Sequence, residues 1–229
     1  QKYTAIVLAA GSGKRMNSKV HKQYLIIQDR PVLYYSLKAF EDSAVDEIVL
    51  VVGKGEEKFC RKEIVDKYGI SKVKAIVEGG KERYHSVFEG LKQTSDADYV
   101  LIHDGARPFV NQDIIRRCMQ EVQKYQACVV GMPVKDTIKI ADEEGYAKQT
   151  PDRKNVWMIQ TPQTFSYALI YEAYEEMLKT EDTAITDDAM VLERIKGKKS
   201  KLIEGSYRNI KITTPEDLLI ANVYLQHPE

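Results

Sequence analysis

Thr4-Ala5-Ile6-Val7-Leu8-Ala9 runs directly into Ala10-Gly11-Ser12-Gly13-Lys14-Arg15-Met16, an apolar stretch followed by small and then basic residues. A short apolar, β-branched run that ends in turn-forming residues reads as a strand buried on both faces. The same signature recurs at Glu47–Val52, Val73–Val77, Tyr99–His103 and Ala127–Val130. Between these runs, Val32–Phe40, Lys58–Tyr68, His85–Gln93 and Ile114–Tyr125 repeat apolar residues at the period of an amphipathic helix. Strand alternating with helix predicts an α/β, Rossmann-like fold: a mostly parallel sheet with right-handed crossovers and helices on both faces. In such a sheet, ligands bind beyond the carboxyl ends of the strands. The polar residues just after each run are therefore the first candidates for function.

After Pro133 the pattern changes. Thr137–Ile140 alternates polar with apolar, Asp142-Glu143-Glu144-Gly145 reads as a turn, and a polar return leads to Trp157. This predicts a projecting β-hairpin arm over about residues 134–157. Helices are expected over Tyr167–Leu178 and about Asp187–Ile195, and a strand near Asn209–Ile212. A closing helix is announced by Thr214 as N-cap, Pro215 at the first helical position, and Glu216 and Asp217 in the first turn. The Lys196–Lys201 run reads as an exposed turn. No internal repeat, low-complexity tract or linker interrupts the chain, so residues 1–229 are read as a single domain carrying the arm.

Composition narrows the function classes. The 229 residues include 34 Lys or Arg and 34 Asp or Glu, a formal net charge of zero at pH 7. Bulk attraction to nucleic acid or to an anionic membrane is not expected of such a chain. No apolar run reaches the roughly 18 residues of a membrane span, and Gln1–Leu8 lacks the basic segment of a secretory signal. A cytoplasmic protein is the expectation. Cys60, Cys118 and Cys128 are an odd number without C-x-x-C spacing, which supports neither a disulfide framework nor a zinc site. All three are read as reduced, Cys128 in a buried strand.

The loop after the first strand offers small residues for close backbone approach to an anion, with Lys14, Arg15 and Lys22 adding positive charge. That combination suits a triphosphate, the alternative being a Gly-rich turn with solvated cations. Met16 stands where the dinucleotide fingerprint requires its third glycine, so that motif is excluded. Glu78-Gly79-Gly80-Lys81-Glu82-Arg83-Tyr84-His85-Ser86 places a second Gly pair after a strand and a Ser in the first helical turn. His103-Asp104-Gly105-Ala106-Arg107-Pro108 ends the fourth run. A carboxylate there needs a partner, and a hard cation such as Mg²⁺ bridging to phosphate would supply one; the alternative is an Asp104–Arg107 pair that orders the loop. His103 reads as a loop-fixing histidine rather than a base.

Taken together, the motifs resemble those of the 2-C-methyl-D-erythritol 4-phosphate cytidylyltransferases of the non-mevalonate isoprenoid pathway. The resemblance rests on A-A-G-x-G-x-R-M at 9–16, K-Q-Y at 22–24, G-G-x-x-R-x-x-S-V at 79–87 and H-D-G-A-R-P at 103–108. It continues through P-V-K-D-T-I-K at 133–139, D-R at 152–153, Q-T-P-Q-x-F at 160–165, T-D-D-A at 186–189 and N-I-K-I-T-x-P-E-D at 209–217. It implies transfer of CMP from CTP to the phosphate of 2-C-methyl-D-erythritol 4-phosphate, with release of pyrophosphate. It implies that Arg15 and Lys22 stabilise the charge developing at the α-phosphate and leaving group, and that Arg153 and Lys211 hold the sugar phosphate. On the CTP side it implies Ala10, Gly11, Ser12, Gly13, Lys14, Gly80, Ser86, Asp104 and Ala106, with Asp104 as ligand of Mg²⁺. Arg107, Thr137 and Thr186 match positions near the acceptor. The resemblance also implies a homodimer formed through the hairpin arm, with Thr137 completing the neighbour's site.

The charge logic agrees with this on independent grounds. A phosphate monoester with a second pKa of about 6 is mostly dianionic at neutral pH and needs no general base. What it needs is fixed cations and a metal to bring two anions together. The nearest rival is a cytidylyltransferase for another polyol phosphate such as ribitol 5-phosphate. A nicotinamide-dependent reductase would lean on Tyr34-x-x-x-Lys38, which falls instead in the first crossover helix. A non-catalytic nucleotide-binding protein would not need Arg15, Lys22, Asp104, Arg153 and Lys211 together.

Overall fold

The computed structural model describes residues 1–11, 20–180 and 184–228. Strand β1 (Tyr3–Ala9) is followed by the short antiparallel pair β2 (Ile26–Ile27) and β3 (Arg30–Pro31), then helix α1 (Val32–Glu41) and β4 (Glu47–Val52). Helix α2 (Glu57–Cys60) continues into a π-helical turn at Arg61–Asp66, and β5 (Val73–Glu78), α3 (Arg83–Leu91), β6 (Tyr99–Asp104), α4 (Gln112–Tyr125) and β7 (Ala127–Pro133) follow. The second part comprises β8 (Ile140–Ala141), β9 (Ala147–Gln149), β10 (Trp157–Ser166), α5 (Tyr167–Met177), α6 (Asp188–Lys196), β11 (Lys201–Glu204) and α7 (Pro215–Gln226).

Seven strands form one sheet in the order β11-β7-β10-β6-β1-β4-β5. Only β10 runs against the others, wedged between β6 and β7. The alternation of side chains along each strand builds two cores. Ala5, Val7 and Ala9 of β1 with Ile48 and Leu50 of β4 face Leu33, Leu37 and Phe40 of α1 and Ile114, Ile115 and Cys118 of α4. Ile6, Val49, Val51, Val100 and Ile102 face the other side, against Val87 and Leu91 of α3 and Ile170, Ala173 and Tyr174 of α5. Each such aliphatic side chain taken fully out of water contributes about 1.5–3 kcal/mol, so strands with both rows buried hold the sheet as the middle layer. The expected α/β class with helices on both faces is what the chain forms.

Three expectations need correction, and one strand lies outside them all. The Asn209–Ile212 segment joins no ladder: its backbone meets the loop after β6 through a bond from Ile212 N–H to the Ala106 carbonyl at 2.8 Å. The Lys196–Lys201 run is not wholly a turn, since Lys201 opens β11, which pairs in parallel with β7. Central strand β10 was hidden by its composition, because Gln160, Thr161, Gln163 and Thr164 are all buried and polar. A register shift between Ile159 and Gln163 lets this strand carry Pro162, which cannot donate to a ladder. Last, α3 begins at Arg83, two residues before the expected start, because Glu82 and His85 form a capping box.

The turn at residues 142–145 forms, with Gly145 at φ 88° and the Asp142 carboxylate accepting from Glu144 and Tyr146 N–H. It joins β8 to β9 in a two-stranded ribbon separate from the main sheet. The closing helix has its expected cap, a Thr214–Asp217 capping box with Pro215 in the first turn. Cys60, Cys118 and Cys128 are free and buried. No helix among the described residues is long and apolar enough to cross a membrane.

Candidate active site

The strand order reverses at β1: β4 and β5 lie on one side of it and β6 on the other. Register aligns Ala9 with Val52, Val52 with Glu78 and Leu8 with Asp104, so the carboxyl ends of four parallel strands meet at one edge. An open sheet leaves its crevice at such a reversal. Here the crevice is a cleft of about 520 Å³ lined by Ala10, Gly11, Lys22, Gly80, Ser86, Asp104, Ala106 and Lys211, together with Arg83 and Thr213. Residues from five separate stretches of sequence thus share one cavity.

Each wall has a local cause. Lys22-Gln23-Tyr24 forms a single 3₁₀ turn. Gln23 is buried and its amide donates to the carbonyls of Ala9 at 2.7 Å and Gly11 at 3.2 Å, which pins the start of the Gly-rich loop beside Lys22. The Tyr24 hydroxyl donates to Glu56 at 2.8 Å and anchors the turn from below. On the facing wall, Gly79 admits no side chain, because a Cβ there would sit 2.6 Å from Ala10 Cβ and 2.4 Å from Ser86 Oγ. The Ser86 hydroxyl accepts from Gly80 N–H at 3.1 Å and holds the turn against the start of α3.

Asp104 closes the floor of the cleft. Its Oδ2 accepts from Lys211 Nζ at 2.9 Å and its Oδ1 from Arg83 Nε at 3.2 Å, with Arg107 Nε 3.8 Å away. Burial by itself would raise the carboxyl pKa, but the charges of Arg83, Lys211 and Arg107 outweigh it and hold the group well below the usual carboxylate range. Its backbone N–H donates to Thr161 Oγ1 at 3.0 Å. The Thr161 hydroxyl in turn faces His103 Nδ1 at 2.9 Å, while His103 Nε2 lies 3.1 Å from the Arg107 carbonyl. A carbonyl only accepts, so the proton is on Nε2 and Nδ1 accepts from Thr161. Burial pushes this imidazole down to about 4, and it ties the loop as a neutral ring, not as a base.

Lys211 is aimed by the period of an extended chain. Ile210 and Ile212 pack with Ile27, Val32 and Ala221, so Lys211 and Thr213 turn the other way into the cleft. Buried Asn209 fixes the segment by donating to Gln160 Oε1 at 3.1 Å and the Thr161 carbonyl at 2.9 Å. The buried polar residues of β10 thereby serve the cleft from behind.

Other expected residues lie elsewhere. Arg107 is beside the cleft, donating to the Asn209 carbonyl at 2.8 Å. Arg153 is exposed at the foot of the ribbon, where it donates to the Lys135 carbonyl at 2.9 Å, and Thr137 is exposed nearby in sequence. Thr186 is exposed just before α6. None of these four lines the cleft. Ser12, Gly13, Lys14 and Arg15 lie outside the described residues. Sequence reasoning assigned nothing to Arg83 or Gln23, although both stand inside quoted motifs; an Arg three residues after a Gly pair at a helix start was the available signal.

The donor set bears on Mg²⁺. No group of three or more His, Cys, Asp or Glu side chains among the described residues could cage an ion. A lone ionised carboxylate fits the other mode of a hard cation, which keeps several waters and binds through one carboxylate and the phosphates of a substrate.

Comparison with known proteins bears on the whole chain. The sequence model of the 2-C-methyl-D-erythritol 4-phosphate cytidylyltransferases (IspD) matches residues 3–227. The enzyme of that name from Lachnoclostridium phytofermentans is 51% identical over 99% of this chain and 97% of its own. That from Lachnospira eligens is 54% identical over 97% and 99%. The crystal structure of 4-diphosphocytidyl-2C-methyl-D-erythritol synthase from Anaerococcus prevotii superposes with a TM-score of 0.87 at 38% identity, covering 99% of this chain and 97% of that one.

Proposed function

The chain belongs to the 2-C-methyl-D-erythritol 4-phosphate cytidylyltransferase family, which moves CMP from CTP to 2-C-methyl-D-erythritol 4-phosphate in isoprenoid precursor synthesis, and we propose how its residues divide that work. The observation that carries the proposal is the meeting of Lys22, Asp104 and Lys211 in one cleft with the backbone of Ala10, Gly11 and Gly80.

An acceptor phosphate oxygen attacks the α-phosphorus of CTP, the bond from that phosphorus to the bridging oxygen breaks, and pyrophosphate leaves. The attacking dianion needs no base, so the protein's task is charge and placement. Lys22 stabilises the negative charge that builds at the α-phosphate and leaving group, with Arg15 in the same role. Ala10, Gly11, Ser12, Gly13 and Lys14 cradle the triphosphate, and Gly80, Ser86 and Ala106 form the base and ribose side. Lys211 holds the acceptor phosphate, with Arg153, Arg107, Thr137 and Thr186 completing that side. Asp104 would hold Mg²⁺ carried in by the nucleotide, and such an ion supplies neutralisation of phosphate charge.

A homodimer is part of the reading. An isolated two-stranded ribbon is marginal in water, and Ile140 and Tyr146 on the β8–β9 ribbon are 46% and 70% exposed. A second ribbon packed there would cover them and bring Arg153 and Thr137 toward a neighbour's cleft. Three unpaired, buried cysteines suit a reducing cytoplasm.

The test is purified protein with CTP, Mg²⁺ and either 2-C-methyl-D-erythritol 4-phosphate or ribitol 5-phosphate, followed by pyrophosphate release and by mass of the CDP-alcohol. Product with the first acceptor alone is expected. Equal turnover of both, or pyrophosphate formed without any acceptor, would contradict the assignment.

A further inference from the structure

Asp188 opens α6 and is wholly buried, at 0% exposure. A carboxylate so placed must be fully partnered. Arg83 grips it with both terminal nitrogens, Nη1 to Oδ1 at 3.0 Å and Nη2 to Oδ2 at 2.9 Å, and the Tyr174 hydroxyl donates to Oδ1. The helix start that carries it is bolted to β10: Gln163 Oε1 accepts from the N–H groups of both Asp188 and Ala189 at 3.0 Å. The third nitrogen of the same guanidinium, Nε, faces the cleft and holds Asp104 Oδ1 at 3.2 Å. One planar fork therefore joins a carboxylate locked in the core to the carboxylate on the floor of the cleft. Lys211 holds the opposite oxygen of Asp104.

Resting on the cytidylyl-transfer reading above, we propose that Asp188 is a positioning residue for that reaction. By gripping Arg83 from the core it sets where Arg83 holds Asp104 and keeps the guanidinium from swinging into the nucleotide side of the cleft. Arg is suited to this because its five donors sit in a rigid plane, whereas a lysine ammonium cannot bridge two carboxylates in fixed directions. Without Asp188 the guanidinium is released on one side. Its remaining partner is then Asp104, and the orientation of the floor carboxylate between Arg83 and Lys211 is lost.

The wild-type reaction is measured first; an inactive wild type overturns the assignment of the reaction, not the positioning role. In active protein, Asp188→Asn keeps the shape and removes the charge. It should lower kcat by about 10- to 100-fold, the scale of a small misplacement of reacting groups, while KM for the acceptor stays within about twofold. CTP binding measured by calorimetry without acceptor should weaken in the same variant. Arg83→Lys, which changes a residue on the cleft wall, should repeat the kcat loss and decides the matter if Asp188→Asn does not fold. Tyr174→Phe removes the other partner of Asp188 but leaves the ion pair; it should lower the melting temperature with kcat within about twofold of wild type. Wild-type kcat in Arg83→Lys or in folded Asp188→Asn overturns the proposal, as does a Tyr174→Phe enzyme whose kcat falls along with its stability.

Discussion

Lys22 and Lys211 both face the cleft, yet their neighbours give them different work. Lys211 pairs with Asp104 at 2.9 Å on a segment pinned by Asn209, whereas Lys22 rides on the turn that Gln23 ties to the Gly-rich loop. Lys22→Ala should cost about 100-fold or more in kcat, the scale of removing a preorganised group at developing charge, with the melting temperature near wild type. Lys211→Ala should chiefly raise KM for the acceptor with CTP saturating, so steady-state kinetics of the two variants should diverge. His103 belongs to stability instead. Its ordinary pKa of 6.5 falls to about 4 in the folded protein, so on acidification the unfolded chain takes up a proton first. Stability from this residue is complete above pH 6.5 and is lost between 6.5 and 4, about 3 kcal/mol in all. The carboxylate of Asp104, held low, contributes its own loss only below that window. Urea unfolding at stepped pH with a chelator present should show this slope in wild type and a flatter one in His103→Gln.

Among the elements, β10 departs furthest from its composition. Of the four buried polar residues in sequence positions 160–164, three have side chains that find partners outside the ladder. Gln160 reaches the Ser206 carbonyl at 2.8 Å, Thr161 reaches His103, and Gln163 holds α6. Periodicity cannot reveal such a strand, since the pairing that satisfies it comes from residues 25 to 58 positions away. The turn between β5 and α3 shows the opposite case, where one Gly is decided by its surroundings. Gly79→Ala would place a methyl in the space of Ala10 Cβ and Ser86 Oγ and force the two cleft walls apart. A cost of about 1–3 kcal/mol is expected from overpacking, together with a raised KM for CTP. Denaturant unfolding and CTP titration of that variant check both; unchanged values would mean that the walls are not in register as described.

At the scale of the molecule, the two-stranded ribbon stands apart from the main sheet, and in the proposed homodimer its exposed Tyr146 and Ile140 are where a second copy would pack. Replacing residues 140–149 by a short Gly-Ser linker should convert a dimer to a monomer in sedimentation and depress activity, because Arg153 and Thr137 flank that segment. A dimer that survives the replacement places the interface elsewhere. The sequence by itself determined the alternation of strand and helix, since burying both faces of a strand demands an unbroken apolar run that remains visible in the chain. It also exposed the small and charged residues after β1, β5 and β6, because loops at strand ends follow directly from where the runs stop. Tertiary structure alone decided that β10 is central and reversed, that the Asn209–Ile212 stretch docks on a loop instead of joining a ladder, and that Arg83 bridges Asp104 to Asp188. Those features are contacts between residues remote in the chain, and a buried charge or amide is stable through its partner, whose identity no local pattern encodes.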